Sequence, residues 1–175
     1  MIEVEIKTLC PDPEGLRQKV LDMGGKPRGR YPQSDVYYSH PCRDFGVTDE
    51  ALRIRSQPDL VRMDYKGPKL DAETKAREEL GTFIAKEEEM VKILSRLGFE
   101  PVMTVRKDRE IILLEGVEVC IDRVEGLDVY VELEICDVDL DAGREKLQEL
   151  MARLGLEGSE RRSYLELLME AGDGA

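Results

Sequence analysis

The sequence is poor in several features on which large classes of proteins depend. Its 175 residues include no tryptophan and one histidine, and aromatic residues make up 5% of the chain. No apolar run approaches the roughly 20 residues that a membrane-spanning helix needs. Because His40 is the single histidine and lies in the loop-like Ser39-His40-Pro41 segment, catalysis by a serine–histidine or cysteine–histidine pair is not expected.

Positive charge is also scarce, with 26 lysines and arginines against 38 aspartates and glutamates and a net charge of −12. A chain this acidic is not expected to bind nucleic acid or an anionic membrane, since both require a surplus of positive surface. Its four cysteines have no zinc-type spacing and are expected to be reduced thiols. Because the N-terminus begins directly with a strand pattern instead of a signal peptide, we expect a soluble cytoplasmic protein.

The charged residues that are present alternate with apolar residues along several segments. In a strand every second side chain shares a face, so Glu3, Glu5 and Lys7 point one way while Val4 and Ile6 point the other. Later segments repeat this alternation: Arg53 with Arg55, Asp64 with Lys66, Lys107 with Arg109, and Glu132 with Glu134. Charged faces on many strands predict a sheet that is curled so that these faces point toward one another. Helices would then cover the apolar faces on the outside.

Apolar stripes that end at glycines predict helices, and the segments between them predict strands. We expect helices from Asp12 or Pro13 to Gly24, over 87–97 and over 142–154, and a short one after Ser163. We expect strands at 2–9, 34–39, 51–57, 61–66, 74–81, 101–108, 109–115, 117–123 and 129–136, with one longer bent strand as the alternative for 101–115 and a loop at 40–50. The length and the absence of a low-complexity linker predict a single domain over residues 1–175.

The paired charges indicate a particular chemistry. Aligned carboxylates such as Glu3 and Glu5 repel each other unless a cation lies between them, and carboxylate oxygens are the ligands that Mg²⁺, Mn²⁺ and Ca²⁺ prefer. Rows of arginine and lysine can hold phosphate oxygens. Two simpler interpretations stay open: the acids and Lys7 form a solvated strand face, and Arg53 and Arg55 protect an exposed sheet edge.

The opening motif Glu3-x-Glu5-x-Lys7 resembles the ExExK signature of the CYTH superfamily, whose members are also called triphosphate tunnel metalloenzymes. Further segments are similar to that superfamily in the same order: residues 35–38, 48–55, 65–68, 107–111, 120–122, 126–127, 131–134 and 163–168. The resemblance therefore covers nearly the whole chain. Within the superfamily, residues 41–45 ahead of the 52–55 segment resemble the class IV adenylyl cyclase branch most.

This resemblance implies an α+β fold, with a closed antiparallel eight-stranded β-barrel that forms a tunnel with a charged lumen and helices packed outside. It implies ATP or another triphosphate as substrate and one or two Mg²⁺ or Mn²⁺ ions as cofactor, and it allows a homodimer. In the cyclase branch the ATP 3′-hydroxyl attacks the α-phosphorus and yields cyclic AMP and pyrophosphate. An adenylyl cyclase is thus our leading hypothesis. A hydrolase of thiamine, nucleoside or inorganic triphosphates and a non-catalytic polyphosphate- or nucleotide-binding module are the alternatives.

The roles of individual residues follow from the resemblance and from the charged faces. The predicted triphosphate-binding residues are Lys7, Arg53, Arg55, Lys66, Lys107 and Arg109. The predicted metal ligands are Glu3, Glu5, Asp122, Glu132 and Glu134, although Asp122 could instead serve the neighbouring hairpin turn. The predicted catalytic residues are Glu5, Lys7, Arg109 and Glu132. Asp64 and Glu79 are expected to orient neighbouring cations.

Overall fold

The computed structural model describes residues 2–70, 76–136 and 138–173. The strands are β1 (Ile2–Leu9), β2 (Lys26–Ser39), β3 (Ala51–Gln57), β4 (Leu60–Lys66), β5 (Arg77–Phe83), β6 (Glu100–Leu114), β7 (Val117–Val124) and β8 (Val129–Cys136). The helices are α1 (Pro13–Asp22), α2 (Phe45–Thr48), α3 (Glu87–Arg96), α4 (Leu140–Leu154) and α5 (Tyr164–Asp173). None of the helices in the described ranges has the length and apolar character needed to cross a membrane.

The eight strands of the described ranges form a closed antiparallel barrel in the order β1-β5-β4-β3-β2-β6-β7-β8. The predicted α+β barrel with helices outside is confirmed. Closure leaves no unpaired strand edge, so Arg53 and Arg55 cannot protect one: their strand β3 pairs with both β2 and β4. β6 is one strand of 15 residues, as in the single-strand alternative for 101–115.

Side-chain alternation gives the barrel wall two different surfaces. On the outer face, apolar residues of β1 and β6 to β8 form the largest core with α1 and α4. Val4, Ile112 and Leu147 are fully buried within it. The residues that lie between these in the strands, which carry most of the charge, therefore point into the barrel.

The remaining helices cover other parts of the barrel. Leu94 of α3 packs against Ile54 on the outer face of β3. Tyr164 of α5 packs against Val105, Val124 and Tyr130. Val105 and Tyr130 belong to inward faces of their strands, since each lies two residues from an inward-pointing Lys107 or Glu132. α5 therefore lies over one end of the barrel.

Three elements differ from the sequence expectations. β2 begins at Lys26 and not at 34. Its first half contains prolines, which lack the N–H that a strand ladder uses, and the sequence pattern therefore did not predict a strand there. Residues 45–48, expected in a loop, form one helical turn because the Asp44 carboxylate accepts hydrogen bonds from the N–H groups of Gly46 and Val47. β5 runs to Phe83 rather than ending at 81, and the predicted strand start at 74–75 lies outside the described residues.

Candidate active site

The inner faces of the strands enclose a cavity of about 580 Å³ whose wall is mostly charged. This volume lies within the range of roughly 300–1,000 Å³ that is typical of small-molecule sites. Of the predicted site residues, all except Asp122 line it: Glu3, Glu5, Lys7, Arg53, Arg55, Lys66, Lys107, Arg109, Glu132 and Glu134. Because Lys7 is 1% and Glu5 7% exposed, the interpretation of these residues as a solvated strand face is wrong.

Three carboxylates from two neighbouring strands converge in one part of the wall. Glu5 of β1 pairs with Glu134 of β8, two residues along the ladder from the pair of Lys7 with Glu132. One oxygen from each of Glu5, Glu132 and Glu134 lies within 4.8 Å of the other two. We call these three residues the acidic trio. Burial raises the pKa of Glu134 to about 8 against the opposing effect of Arg109, and repulsion from Glu3 and Glu132 adds to the rise.

A divalent cation fits the acidic trio by the chemistry of its donors. All three ligands are carboxylate oxygens, which are the donors that Mg²⁺ and Mn²⁺ bind in proteins. The raised pKa of Glu134 reflects excess negative charge in a buried place, and a bound cation would relieve that charge. Glu3 also lines the cavity, where its carboxylate accepts a hydrogen bond from Lys66 Nζ at 3.1 Å.

Asp122 is not a member of the acidic trio, and its carboxylate contacts hydrogen-bond donors. It is fully buried, and it accepts hydrogen bonds from Lys107 Nζ at 2.8 Å, Arg109 Nε at 2.7 Å and the Tyr164 hydroxyl at 2.9 Å. Because it pairs with Arg109 within the β6–β7 ladder, it does not serve the hairpin turn. Its contacts fix the positions of two predicted phosphate-binding cations.

Arg109 connects these cations to the acidic trio. Its Nη1 donates to Glu134 Oε1 at 2.8 Å, and its Nη2 donates to both Asp122 and Glu132. Burial alone would lower the pKa of this guanidinium, but Asp122 and the neighbouring glutamates raise it well above its ordinary value. Arg109 therefore stays charged inside the cavity.

On the opposite side of the barrel, Asp35 holds the arginines of β3. Arg55 donates to its two oxygens from Nε and Nη2, both at 2.7 Å, and Arg53 donates from Nη1 at 3.3 Å. Burial alone would raise the pKa of Asp35, but the two guanidinium groups outweigh it and hold the pKa well below its usual range. Arg53 Nε also contacts Asp64 at 3.3 Å, as expected for an acid that orients a cation.

Lys66 of β4 lies between acidic side chains of β1 and β5. It forms ion pairs with Glu3 and Glu79, and Glu79 thus orients a lysine as expected. Burial would lower the pKa of the Lys66 ammonium, whereas Glu3 and Glu79 raise it above its ordinary value. This lysine is a fixed positive charge in the wall.

The segment before α5 completes the wall near Lys7. Lys7 Nζ donates to the carbonyl oxygen of Arg162 at 2.5 Å and lies 4.0 Å from the centre of the Tyr164 ring. The N–H of Glu160 donates to the Lys7 carbonyl oxygen at 2.7 Å, and the Thr8 hydroxyl donates to the carbonyl oxygen of Glu157 at 2.6 Å. Residues that follow the last strand are thereby fastened to the first strand.

The CYTH domain family matches residues 1–164 of the sequence, and those residues contain every strand of the barrel. The chain belongs to the CYTH family. The sequence resemblance to this family is therefore confirmed.

Several known proteins are similar to this chain over most of their length. A Methanocaldococcus jannaschii protein provisionally named an adenylate cyclase is 41% identical over 95% of this chain and 98% of its own. The adenylate cyclase CyaB of Aeromonas hydrophila is 30% identical over 77% of this chain and 71% of its own. A solved structure from Pyrococcus horikoshii is 40% identical, covers 96% of this chain and 98% of its own, and superposes with a TM-score of 0.87.

The CYTH cavity also contains residues that the charge pattern did not single out. Arg62, Arg161, Tyr164, Tyr31 and Gln33 all line it. Arg62 lies two residues before Asp64 in β4, so strict alternation could have included it. No local pattern identifies Tyr164 or Gln33, because their place in the wall depends on contacts between distant segments.

Proposed function

We propose that this CYTH protein is an adenylyl cyclase that converts ATP to cyclic AMP and pyrophosphate within the barrel, with residues 1–175 acting as one domain. The observation that carries the proposal is the convergence of six fixed cations and the acidic trio on one cavity of nucleotide size. The names of the Methanocaldococcus and Aeromonas relatives support the choice of reaction.

The proposed reaction forms and breaks one bond at the α-phosphorus. The ribose 3′-oxygen bonds to this phosphorus and loses its proton, while the bond to the bridging oxygen of the β-phosphate breaks and pyrophosphate leaves with the electron pair. Positioning and charge neutralisation are the main requirements of such a transfer. We assign the leaving pyrophosphate to the cationic wall, where guanidinium groups bind two oxygens each, and the ribose end to the side of the acidic trio.

The cations are held in place before a substrate arrives. Asp35 positions Arg53 and Arg55, and Asp122 positions Lys107 and Arg109. Fixed charges of this kind need no rearrangement when negative charge develops on the leaving group. We propose that Glu5, Glu132 and Glu134 hold a Mg²⁺ or Mn²⁺ ion, which when bound would neutralise phosphate charge and lower the pKa of the attacking hydroxyl.

Identification of the products tests this proposal. Purified protein is incubated with ATP and Mg²⁺ or Mn²⁺, and the products are separated by anion-exchange chromatography. We expect cyclic AMP and pyrophosphate in equal amounts. ADP and orthophosphate without cyclic AMP would refute the cyclase and indicate a triphosphatase, and tight triphosphate binding without any product over hours would indicate a binding module.

A matched preparation excludes contaminating enzymes. Glu132→Gln keeps the size of the side chain and removes one charge from the acidic trio. This variant, purified in the same way, should produce no cyclic AMP. Equal product from both preparations would mean that the activity does not belong to this cavity.

A further inference from the structure

One buried polar atom in the cavity wall takes no part in the ion pairs described above. Gln33 of β2 is 4% exposed and lines the cavity. Its Oε1 has no hydrogen-bond partner among the described residues. Buried side-chain oxygens are nearly always paired, so an unpaired one in a cavity wall indicates a ligand that donates a hydrogen bond to it.

The triphosphate cannot be that donor. Ionised phosphate oxygens accept hydrogen bonds and do not donate them. Gln33 pairs with Lys107 across the β2–β6 ladder and so lies beside the proposed phosphate site. The organic part of the substrate is the part that can carry a donor for Oε1.

Apolar side chains lie in the wall on the Tyr31 side of Gln33. Tyr31, two residues earlier on the same face of β2, also lines the cavity. Its ring lies over Gly29, where an added Cβ would come within 2.9 Å of Tyr31 Cε1. Gly29 pairs with Ile111 of β6, and both Ile111 and Leu113 line the cavity. An aromatic ring beside two aliphatic side chains suits a flat, apolar group, which would lie next to the cations because Tyr31 pairs with Arg109 across the β2–β6 ladder.

We propose that Tyr31, Ile111 and Leu113 seat the base of a nucleoside triphosphate and that Gln33 recognises this base as adenine; this inference rests on the proposed function. A glutamine amide has an acceptor next to a donor. Adenine presents an amine donor beside a ring-nitrogen acceptor and so satisfies both atoms of the amide. The corresponding edge of guanine has two acceptors, which would leave Oε1 unpaired.

Binding measurements with three ligands test the inference. Calorimetry with Mg²⁺ compares α,β-methylene-ATP, α,β-methylene-GTP and inorganic tripolyphosphate, on wild-type protein and on Gln33→Leu. We expect the wild type to prefer the ATP analogue about tenfold or more, as the loss of one or two hydrogen bonds predicts. Gln33→Leu should lose this preference and bind tripolyphosphate within about twofold of the wild type, since phosphate does not contact this residue in our proposal.

Two further variants separate base recognition from general damage. Gln57→Leu makes the same change at another glutamine of the same cavity wall and should keep the preference for the ATP analogue. Tyr31→Leu should weaken both nucleotide analogues while leaving tripolyphosphate binding unchanged. Because Gln33→Leu removes an unpaired buried oxygen, its melting temperature should equal or exceed that of the wild type.

Each of the other outcomes overturns the inference. An unchanged ATP-to-GTP ratio in Gln33→Leu, or a wild type without such a preference, would show that Gln33 does not recognise adenine. An equal loss for all three ligands would place Gln33 among the phosphate contacts. A wild type that binds no tripolyphosphate would refute the proposed function itself, which distinguishes that failure from a failure of base recognition alone.

Discussion

Two groups of cations in the cavity are each held by a buried aspartate that is not a member of the acidic trio. Asp35 does this for the arginines of β3, and Asp122 does it for Lys107 and Arg109. Removing one partner of a buried ion pair leaves an uncompensated charge and is strongly destabilising. These two aspartates therefore stabilise the fold and position the proposed site together.

Asp35→Asn should lower the free energy of unfolding at pH 7 by about 3–5 kcal/mol. The folded pKa of Asp35 lies below its unfolded value near 3.8. The stabilisation is therefore fully present above that unfolded pKa and is lost as the pH falls through the folded pKa. Urea unfolding at pH 7 and pH 3 measures both effects, and the difference between wild type and variant should narrow at pH 3.

Asp108→Asn is the matched control for Asp35→Asn. Asp108 pairs with Arg30 at 2.9 Å, but both side chains are more than 40% exposed. An exposed pair contributes about 0–1 kcal/mol. If Asp108→Asn lowered the free energy of unfolding as much as Asp35→Asn, burial would not explain the effect of Asp35→Asn.

Loss of a residue that hydrogen-bonds to a metal ligand typically reduces activity roughly 10- to 100-fold. Glu5→Gln alters a proposed ligand itself and should therefore reduce turnover by more than that. The reason is that it removes a proposed ligand while preserving the shape of the wall. Turnover and the rise in melting temperature on addition of Mg²⁺ should both be lost, with the circular dichroism spectrum unchanged. A second group of possible metal ligands consists of Glu118, Cys120 and Glu134, and Glu118→Gln tests it. If Glu118→Gln loses the Mg²⁺ response and Glu5→Gln keeps it, the metal binds at this second group and not at the acidic trio.

At the level of secondary structure elements, the position of β1 is set by its contact with α4. β1 carries Glu5 and Lys7 on one face and Val4 on the other. A Cβ added at Gly143 of α4 would lie 3.1 Å from Val4 Cγ2 and 2.7 Å from Val138 Cγ2. The glycine therefore lets the helix approach the strand that supplies part of the acidic trio.

Gly143→Ala should destabilise the protein by about 1–3 kcal/mol, because the added methyl group overpacks this contact. Gly172→Ala in α5 is the matched control, since nothing lies within 4 Å of the added Cβ. There the higher helix propensity of alanine should be neutral or stabilising by up to about 1 kcal/mol. Thermal unfolding measures both, and equal effects of the two changes would refute the packing argument.

Elements with clear ends were predictable from the sequence. The αL glycine Gly155 ends α4 as predicted, and alternation identified most of the charged wall. Three things were not predictable. The start of β2 is hidden by Pro27 and Pro32, the role of Asp122 depends on Tyr164, 42 positions away, and Gln33 carries no charge. The contacts of Asp122 and the place of Gln33 in the wall depend on distant segments, which no local pattern contains.

At the level of the whole molecule, the distribution of charge matters more than its total. The net charge is −12, yet lysines and arginines from five of the eight described strands line one cavity. A polyanion should therefore bind inside the barrel although the chain as a whole is acidic. Cytoplasmic location and a homodimer stay predictions.

Tripolyphosphate with Mg²⁺ should raise the melting temperature, because a ligand that binds only the folded state stabilises it. At a concentration 100 times the dissociation constant, the gain is about 2.7 kcal/mol. Differential scanning fluorimetry measures the shift. Sodium sulfate at equal ionic strength is the control, and an equal shift with sulfate would indicate a general salt effect.

The fastening of residues 157–164 to β1 has a consequence for biosynthesis. Glu157, Glu160 and Arg162 bond to residues of the first strand, and Tyr164 bonds to Asp122. This segment follows all the described strands in the sequence, so the ribosome adds it after them. A nascent polypeptide consequently lacks part of the cavity wall until those codons have been read, and the wall is completed only after all the described strands have been synthesised.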